Sequence, residues 1–323
     1  MRAILVPLDG SASAEAALPI ALALVRRDEA RLVLATAIEP PPSVRGGQGA
    51  LVFDQRLDTE QRAAMRQYLR QVTVRLLGED GSLPIEARFL EGPVAATIVQ
   101  AANESGAELV VLTSHGRGGA SRLWLGSITD ALVRQLRVPI LVLRADDGTA
   151  VAPAGGFRRV LVPLDGAPQS EQGIHAATAL AGRDGVHYTL VRVVELLHPL
   201  LQTVASEQDV ERDVATQRSE AERYLADVGA RLGAQGLDVR GLDVRGEVRV
   251  SRHAASAIVG VAEEIGADLL SVATHGRGRV GRLLLGSVAD KLLRTAHIPV
   301  LVSHVGEEDH ERRLPTRDDA DQG

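Results

Sequence analysis

The block Thr113-Ser114-His115-Gly116-Arg117-Gly118, followed by Leu125-Gly126-Ser127, returns as Ala273-Thr274-His275-Gly276-Arg277-Gly278 with Leu285-Gly286-Ser287. The displacement is 160 residues at both glycine anchors (276 − 116 and 286 − 126) and at the aspartates that follow, Asp130 and Asp290. A register kept across a loop, a turn and the start of a helix means that one structural unit occurs twice. The opening segment repeats too. Ile4-Leu5-Val6-Pro7-Leu8-Asp9-Gly10 returns as Val160-Leu161-Val162-Pro163-Leu164-Asp165-Gly166, displaced by 156 (165 − 9). The second copy therefore carries four extra residues. They fall in the stretch before residue 253, where Gly236-Leu237-Asp238-Val239-Arg240 is immediately repeated as Gly241-Leu242-Asp243-Val244-Arg245.

A chain of 323 residues is long enough for two such units, each burying its own core. Hydrophobic residues make up 45% but aromatics only 2%, so those cores must be aliphatic. The absence of cysteine excludes disulfides, thiolate metal sites and a cysteine nucleophile. Lys291 is the sole lysine, and it lies in no Gly-x-x-x-x-Gly-Lys-Ser/Thr motif, which excludes Walker-type hydrolysis of a nucleoside triphosphate. A net charge of −6 argues against a nucleic-acid partner. The N-terminus runs straight into an apolar strand pattern without signal-peptide organisation, and no apolar run approaches the roughly 20 residues needed to span a bilayer. The expectation is a soluble cytoplasmic protein.

Within the first copy, short runs rich in Val, Ile and Leu alternate with longer amphipathic ones. Strands are predicted at 2–7, 31–38, 84–90, 108–113 and 139–143, and helices at 12–27, 57–77, 93–105 and 127–136. The strands lack strict alternation, as expected when both faces of a parallel sheet are covered. The second copy follows the same order. The predicted fold is α/β: two tandem, doubly wound, five-stranded parallel sheets, Rossmann-like, each with strand order 3-2-1-4-5. Residues 1–145 and 158–306 form the two expected domains, 146–157 a flexible linker and 307–323 a disordered tail. In that order ligands bind beyond the strand ends where the order reverses, between strands one and four. Strand one leads into Asp9 and strand four ends at Thr113, so the two repeated signatures converge on one crevice.

Two readings of the glycine-rich block stand side by side. Gly116, Gly118 and Gly119 let the backbone approach a ligand, and nine residues later Gly126-Ser127 opens a helix whose free N–H groups suit an anion. Arg117 and Arg277 are placed to add charge-assisted bonds to phosphate. The structural reading takes Ser127-Ile128-Thr129-Asp130 and Ser287-Val288-Ala289-Asp290 as capping boxes and the glycines as a turn. Asp9 and Asp165 divide likewise between capping the next helix and accepting from a base amino group. His115 and His275 have no triad or metal partner nearby and read as packing residues, as does Trp124, which is Leu284 in the second copy. Tyr68 and Tyr224 read as half-buried helix positions.

Together these segments resemble the universal stress protein family: Val-Pro-Leu-Asp-Gly at the start, Gly-Ala-Glu/Asp-Leu before strand four, Ser/Thr-His-Gly-Arg-Gly with Leu-Gly-Ser, and the closing Val138-Pro139-Ile140-Leu141-Val142 and Ile298-Pro299-Val300-Leu301-Val302. The resemblance covers nearly all of both copies and marks a tandem member. It implies a stress-response regulator binding ATP, with Mg2+, in each repeat, with little or no catalysis. The family motif Gly-x-x-Gly, nine residues, Gly-Ser/Thr maps its second glycine to Gly116 and Gly276, and its closing pair to Gly126-Ser127 and Gly286-Ser287. Ile128 and Val288 follow that pair. Pro7 with Asp9, Pro163 with Asp165, and the strand-two residues Ala37 and Val193 would line the base pocket. The motif's first glycine is Thr113 in one copy and Ala273 in the other, which makes the second copy the closer to the pattern. That departure motivates the alternative of an interaction or scaffold protein of the same fold that binds no nucleotide. An enzyme of a related fold ranks last, because Leu8-Asp9-Gly10-Ser11 is not the loop such enzymes carry after strand one. The final strands are apolar edges, so the halves are expected to pair through them as an intrachain pseudo-dimer, with a homodimer of whole chains as an extension.

Overall fold

The computed structural model describes residues 1–39, 55–114, 125–144, 156–196, 207–234, 243–274 and 285–304. The expected tail and almost all of the expected linker lie outside them. The first half comprises β1 (Ala3–Pro7), α1 (Ala12–Glu15), α2 (Leu18–Asp28), β2 (Arg31–Ile38), α3 (Gln55–Glu79), β3 (Ile85–Glu91), α4 (Val94–Glu104), β4 (Leu109–Thr113), α5 (Ser127–Gln135) and β5 (Ile140–Leu143). The second comprises β6 (Arg159–Pro163), α6 (Gln172–Ala181), β7 (His187–Glu195), α7 (Glu207–Ala234), β8 (Asp243–Ser251), α8 (Ala254–Glu264), β9 (Leu269–Thr274), α9 (Ser287–Thr295) and β10 (Val300–His304).

The predicted helix over 12–27 is two helices. Pro19 has no N–H to give the Glu15 carbonyl, and its ring opposes that carbonyl. The chain therefore turns at Ala16 and Ala17, whose N–H groups bond back to Ala12 and Ala14, and restarts with Pro19 in the first turn of α2.

Each half has strand order 3-2-1-4-5, and all pairings within a half are parallel. The two five-stranded sheets continue into one another as a ten-stranded sheet. They join where β5 and β10 pair antiparallel, Ile140 opposite Val302, Leu141 opposite Leu301 and Val142 opposite Val300. Because that contact reverses strand direction, the carboxyl ends of the two halves' strands lie at opposite ends of the sheet. Hydrogen bonds cross between halves beside it, from Arg27 to the Leu180 carbonyl and from Arg144 to the Ala296 carbonyl at 3.0 Å.

The core explains the lack of strict alternation. Ile4, Val6, Leu32 and Leu34 belong to one buried cluster, while Ala3, Leu5, Val33 and Ala35 belong to another. Successive strand residues point to opposite faces, so both faces are covered and nearly every residue is apolar. Each cluster draws on both halves, Leu141 and Leu301 on one face, Val142 and Val300 on the other. Among the described residues no helix is long and apolar enough to cross a membrane.

The extra residues of the second copy sit where a sheet tolerates them. Leu32 pairs with Ile85, but its counterpart Tyr188 pairs with Val244, so most of the insertion precedes β8. The repeated pentapeptide itself straddles the undescribed residues 235–242.

His304, at the end of β10, is half-buried with its Nε2 shut off from solvent, and desolvation of the ring pushes its pKa from 6.5 to about 4. Its Nδ1 shares a 2.7 Å hydrogen bond with Thr274 Oγ1. The folded chain keeps this imidazole neutral, whereas the unfolded chain protonates it near pH 6.5. The stability it contributes is therefore complete above about pH 6.5 and lost as the pH falls toward 4. Through this group alone the loss is expected to be on the order of 3 kcal/mol. His304→Asn, which keeps a polar group near the Nδ1 position, should lose correspondingly less in urea titrations across that window. At the join, Leu301→Ala removes a fully buried side chain and should cost about 2–4 kcal/mol in the same assay.

Candidate functional site

In the second half, the strand order reverses at β6, which pairs with β7 on one side and β9 on the other. Beyond these strand ends, bounded by α8 and α9, lies a cavity of about 620 Å³. That falls within the ~300–1,000 Å³ common for small-molecule sites. Pro163, Asp165, Val193, Ala273, Gly286, Ser287 and Val288 all line it. Residues from four separated segments meet there because the parallel sheet aligns their strand ends. Gly276 and Arg277 lie outside the described residues.

The first half brings its equivalents to the same place. Pro7 ends β1, Thr113 ends β4, and Ala37 lies near the end of β2, with β1 paired to both neighbours. The Gly126 N–H donates to the Ser114 carbonyl at 2.9 Å, tying the start of α5 to the end of β4. Ser127 and Ile128 open α5, and Ile128 is 40% exposed. Gly116 and Arg117 lie outside the described residues, as do His115, His275 and Trp124.

The capping-box reading does not hold. Gly126 and Gly286 are the N-caps, the serines are the first helical residues, and neither helix has a side-chain cap. Asp130 instead pairs with Arg134 at 3.0 and 3.1 Å, and Asp290 with Arg294 at 2.9 and 3.0 Å, both one turn apart. These bonds raise the pKa of each arginine. A glycine brings no side-chain oxygen, so the N-cap residues of α5 and α9 give the first-turn N–H groups no side-chain cap.

The aspartates do part of the structural work expected of them. Asp9 Oδ1 accepts from the Ser11 N–H at 2.9 Å and Oγ at 2.6 Å, and Ser11 in turn caps α1 by accepting from Ala14 at 3.1 Å. Asp165 Oδ1 accepts from the Ala167 N–H at 2.8 Å while its side chain also lines the cavity. The two departures from the glycine motif differ. Thr113 is buried, its carbonyl accepting from Thr129 Oγ1 at 3.2 Å, whereas Ala273 is half-buried in the cavity wall.

Sequence reading missed Arg192, which lines the cavity beside Val193. The signal was available: a charged residue near the end of an otherwise apolar strand, where the first copy has Thr36. Tyr224 is half-buried as expected, but its ring also carries the Arg192 guanidinium 5.1 Å from its centroid. Burial, and then the adjacent Glu171 carboxylate, push the Tyr224 pKa up to about 12. Among the described residues no group of three or more His, Asp or Glu side chains is placed to hold a metal ion.

The sequence model of the universal stress protein family matches residues 1–144 and again 156–304. The chain belongs to that family. A universal stress protein of Mycobacterium tuberculosis is 33% identical over 233 residues, covering 70% of this chain and 71% of that protein. One from Mycolicibacterium smegmatis is 29% identical over 303 residues, 93% of this chain and 96% of that protein. Among solved structures, a universal stress protein from Archaeoglobus fulgidus superposes with a TM-score of 0.63 at 18% identity, covering 94% of this chain and 98% of that one. At that identity the likeness speaks for the fold.

The close approach at the crevice is testable. A Cβ on Gly126 would lie 3.0 Å from the Ser114 carbonyl oxygen, while one on Gly229, inside α7, meets nothing within 4 Å. Gly126→Ala should destabilise by about 1–3 kcal/mol. Gly229→Ala should stabilise by roughly 0.5–1 kcal/mol. Thermal unfolding of the two variants checks the opposite signs.

Proposed function

We propose that this universal stress protein is a regulatory protein that binds ATP, with Mg2+ on its phosphates, in the crevice of each half and does little or no catalysis. The observation that carries the reading is the convergence of Asp165, Val193, Ala273, Gly286, Ser287 and Val288 on one cavity at the point where the strand order reverses. The start of α9, without a side-chain cap, supplies N–H groups and a positive dipole end for phosphate oxygens, and Ser287 adds a hydroxyl. The far side of the cavity, at β6 and β7, is left for the base. Gly116, Arg117, Gly276 and Arg277 complete the phosphate side on the strength of the resemblance. In the first half Pro7, Asp9, Ala37, Gly126, Ser127 and Ile128 play the matching parts. Each half, 1–145 and 158–306, is one binding domain.

The buried Thr113 favours a second reading for the first half, in which that crevice holds no nucleotide and serves interaction alone. Calorimetric titration of the full chain with MgATP separates the two. Two equivalents are expected, and Ser287→Asp, which sets a carboxylate at the phosphate end, should weaken one of them about tenfold or more. One equivalent, eliminated by Ser287→Asp, confines the nucleotide to the second half. No binding, and no nucleotide released from the purified protein, leaves the interaction reading in its place.

A further inference from the structure

Arg192 sets the second crevice apart from the first. Pro7 pairs with Ala35 and its counterpart Pro163 with Val191, so Thr36 and Arg192 occupy the same place one residue further along. Thr36 is fully buried, while Arg192 is half-buried and lines the cavity. The guanidinium lies over the Tyr224 ring, and among the described residues it makes no hydrogen bond or ion pair. It also lies against the turn after β6. A Cβ at Gly166 would stand 2.9 Å from its Nη2 and 3.0 Å from its Cζ, and Gly166 has φ +94°. The backbone conformation there calls for a glycine, and a β-carbon would push the guanidinium aside. The ring beneath is itself held. Tyr224 donates to Glu171 Oε1 at 3.1 Å, and Arg231 donates to the same oxygen at 2.8 Å. An arginine with its full set of donors is therefore held by a ring, at a cavity wall, without an acceptor among the described residues.

The ligand that fits this end has acceptors for a planar fork. The same cavity is lined by the carboxylates of Asp165, Glu195 and Glu220, which disfavour a second phosphate and offer acceptors of their own. With phosphates at α9, the base reaches the β7 end. Guanine presents N7 and O6 as a pair of acceptors that an arginine fork matches, and its N1–H and N2 amino group are donors for a carboxylate. Adenine sets its amino group beside N7, a donor facing a donor, and has no N1–H. From this we propose that the second crevice selects guanine over adenine nucleotides, with Arg192 donating to N7 and O6. The inference rests on the nucleotide reading above: ATP still enters the second crevice, and GTP enters it more tightly.

Hydrogen exchange on the full chain reads the halves separately. With Mg2+ present, GTP should protect peptides from 160–175 and 186–196 at concentrations about tenfold or more below those ATP requires. Arg192→Thr, which installs the first half's residue, should abolish that preference. Arg192→Lys should recover only part of it, since a point charge cannot bond both acceptors in plane. Exchange of the β6, β7 and β9 amides without nucleotide should be unchanged in both variants, which shows that the second half folds. Equal midpoints for GTP and ATP in the wild-type second half, or a GTP preference that survives Arg192→Thr, overturns this proposal and leaves nucleotide binding standing. If ATP protects the second half and GTP does not, the base assignment alone falls; if neither nucleotide protects it, nucleotide binding in that half falls as well.

Discussion

The antiparallel contact between β5 and β10 governs the rest of the molecule. Ile140, Leu141, Leu143, Leu301 and Val302 are fully buried at this join. Left apart, each strand would expose an apolar edge with unpaired N–H and C=O groups, the situation that drives strands of separate molecules together. Pairing satisfies both edges inside one chain and merges the cores on both faces. It also uses up the surface through which a homodimer by the final strands was expected, because β5 and β10 now have neighbours on both sides. The outer edges are β3 and β8, which carry Glu86, Arg88 and Glu91, and Arg245, Glu247 and Arg249. Charges at such positions discourage further pairing.

Strand direction at the join settles the relation between the crevices. Ligands of open parallel sheets lie beyond the carboxyl ends of strands, and here those ends point opposite ways. The strand ends at Pro7 and Thr113 therefore face away from those at Pro163 and Thr274. The walls at these ends differ between the copies. Thr113 corresponds to Ala273, and Thr36 to Arg192. Beneath the second crevice Gly173 stands where the first half has Ala17, and Ser271 donates to its carbonyl at 2.7 Å. A Cβ at Gly173 would come within 3.3 Å of both the Ser271 carbonyl oxygen and a Val162 methyl. The shared frame is kept while the linings change.

Much of this was legible in one dimension. The apolar runs predicted each first-half strand to within a residue at either end, because a strand buried on both faces needs a short aliphatic run and little else. The doubled register announced the duplication and led to Asp9, Gly126 and their partners. Pro19 was an available breaker within the predicted helix over 12–27, and only the continuing periodicity hid it. Ser127 was ambiguous for a physical reason. The N-cap and the first helical position are one residue apart, and only the backbone angles at Gly126, with Asp130 engaged by Arg134, choose between them. The glycine loop that pointed most directly to phosphate lies mostly outside the described residues.

The linear pattern of residues carries two copies of an aliphatic α/β unit, their strand and helix segments and the composition of a phosphate-suited turn. These are set by periodicity and spacing, which act over a few residues. Tertiary structure decided the rest. Strand pairing made one sheet of two and turned the crevices to opposite ends. The packing of α7 placed Tyr224 under Arg192, and the strand ends gathered the walls of one cavity around them. Neither could be read locally, because each depends on groups distant in sequence meeting across a sheet edge or a helix face.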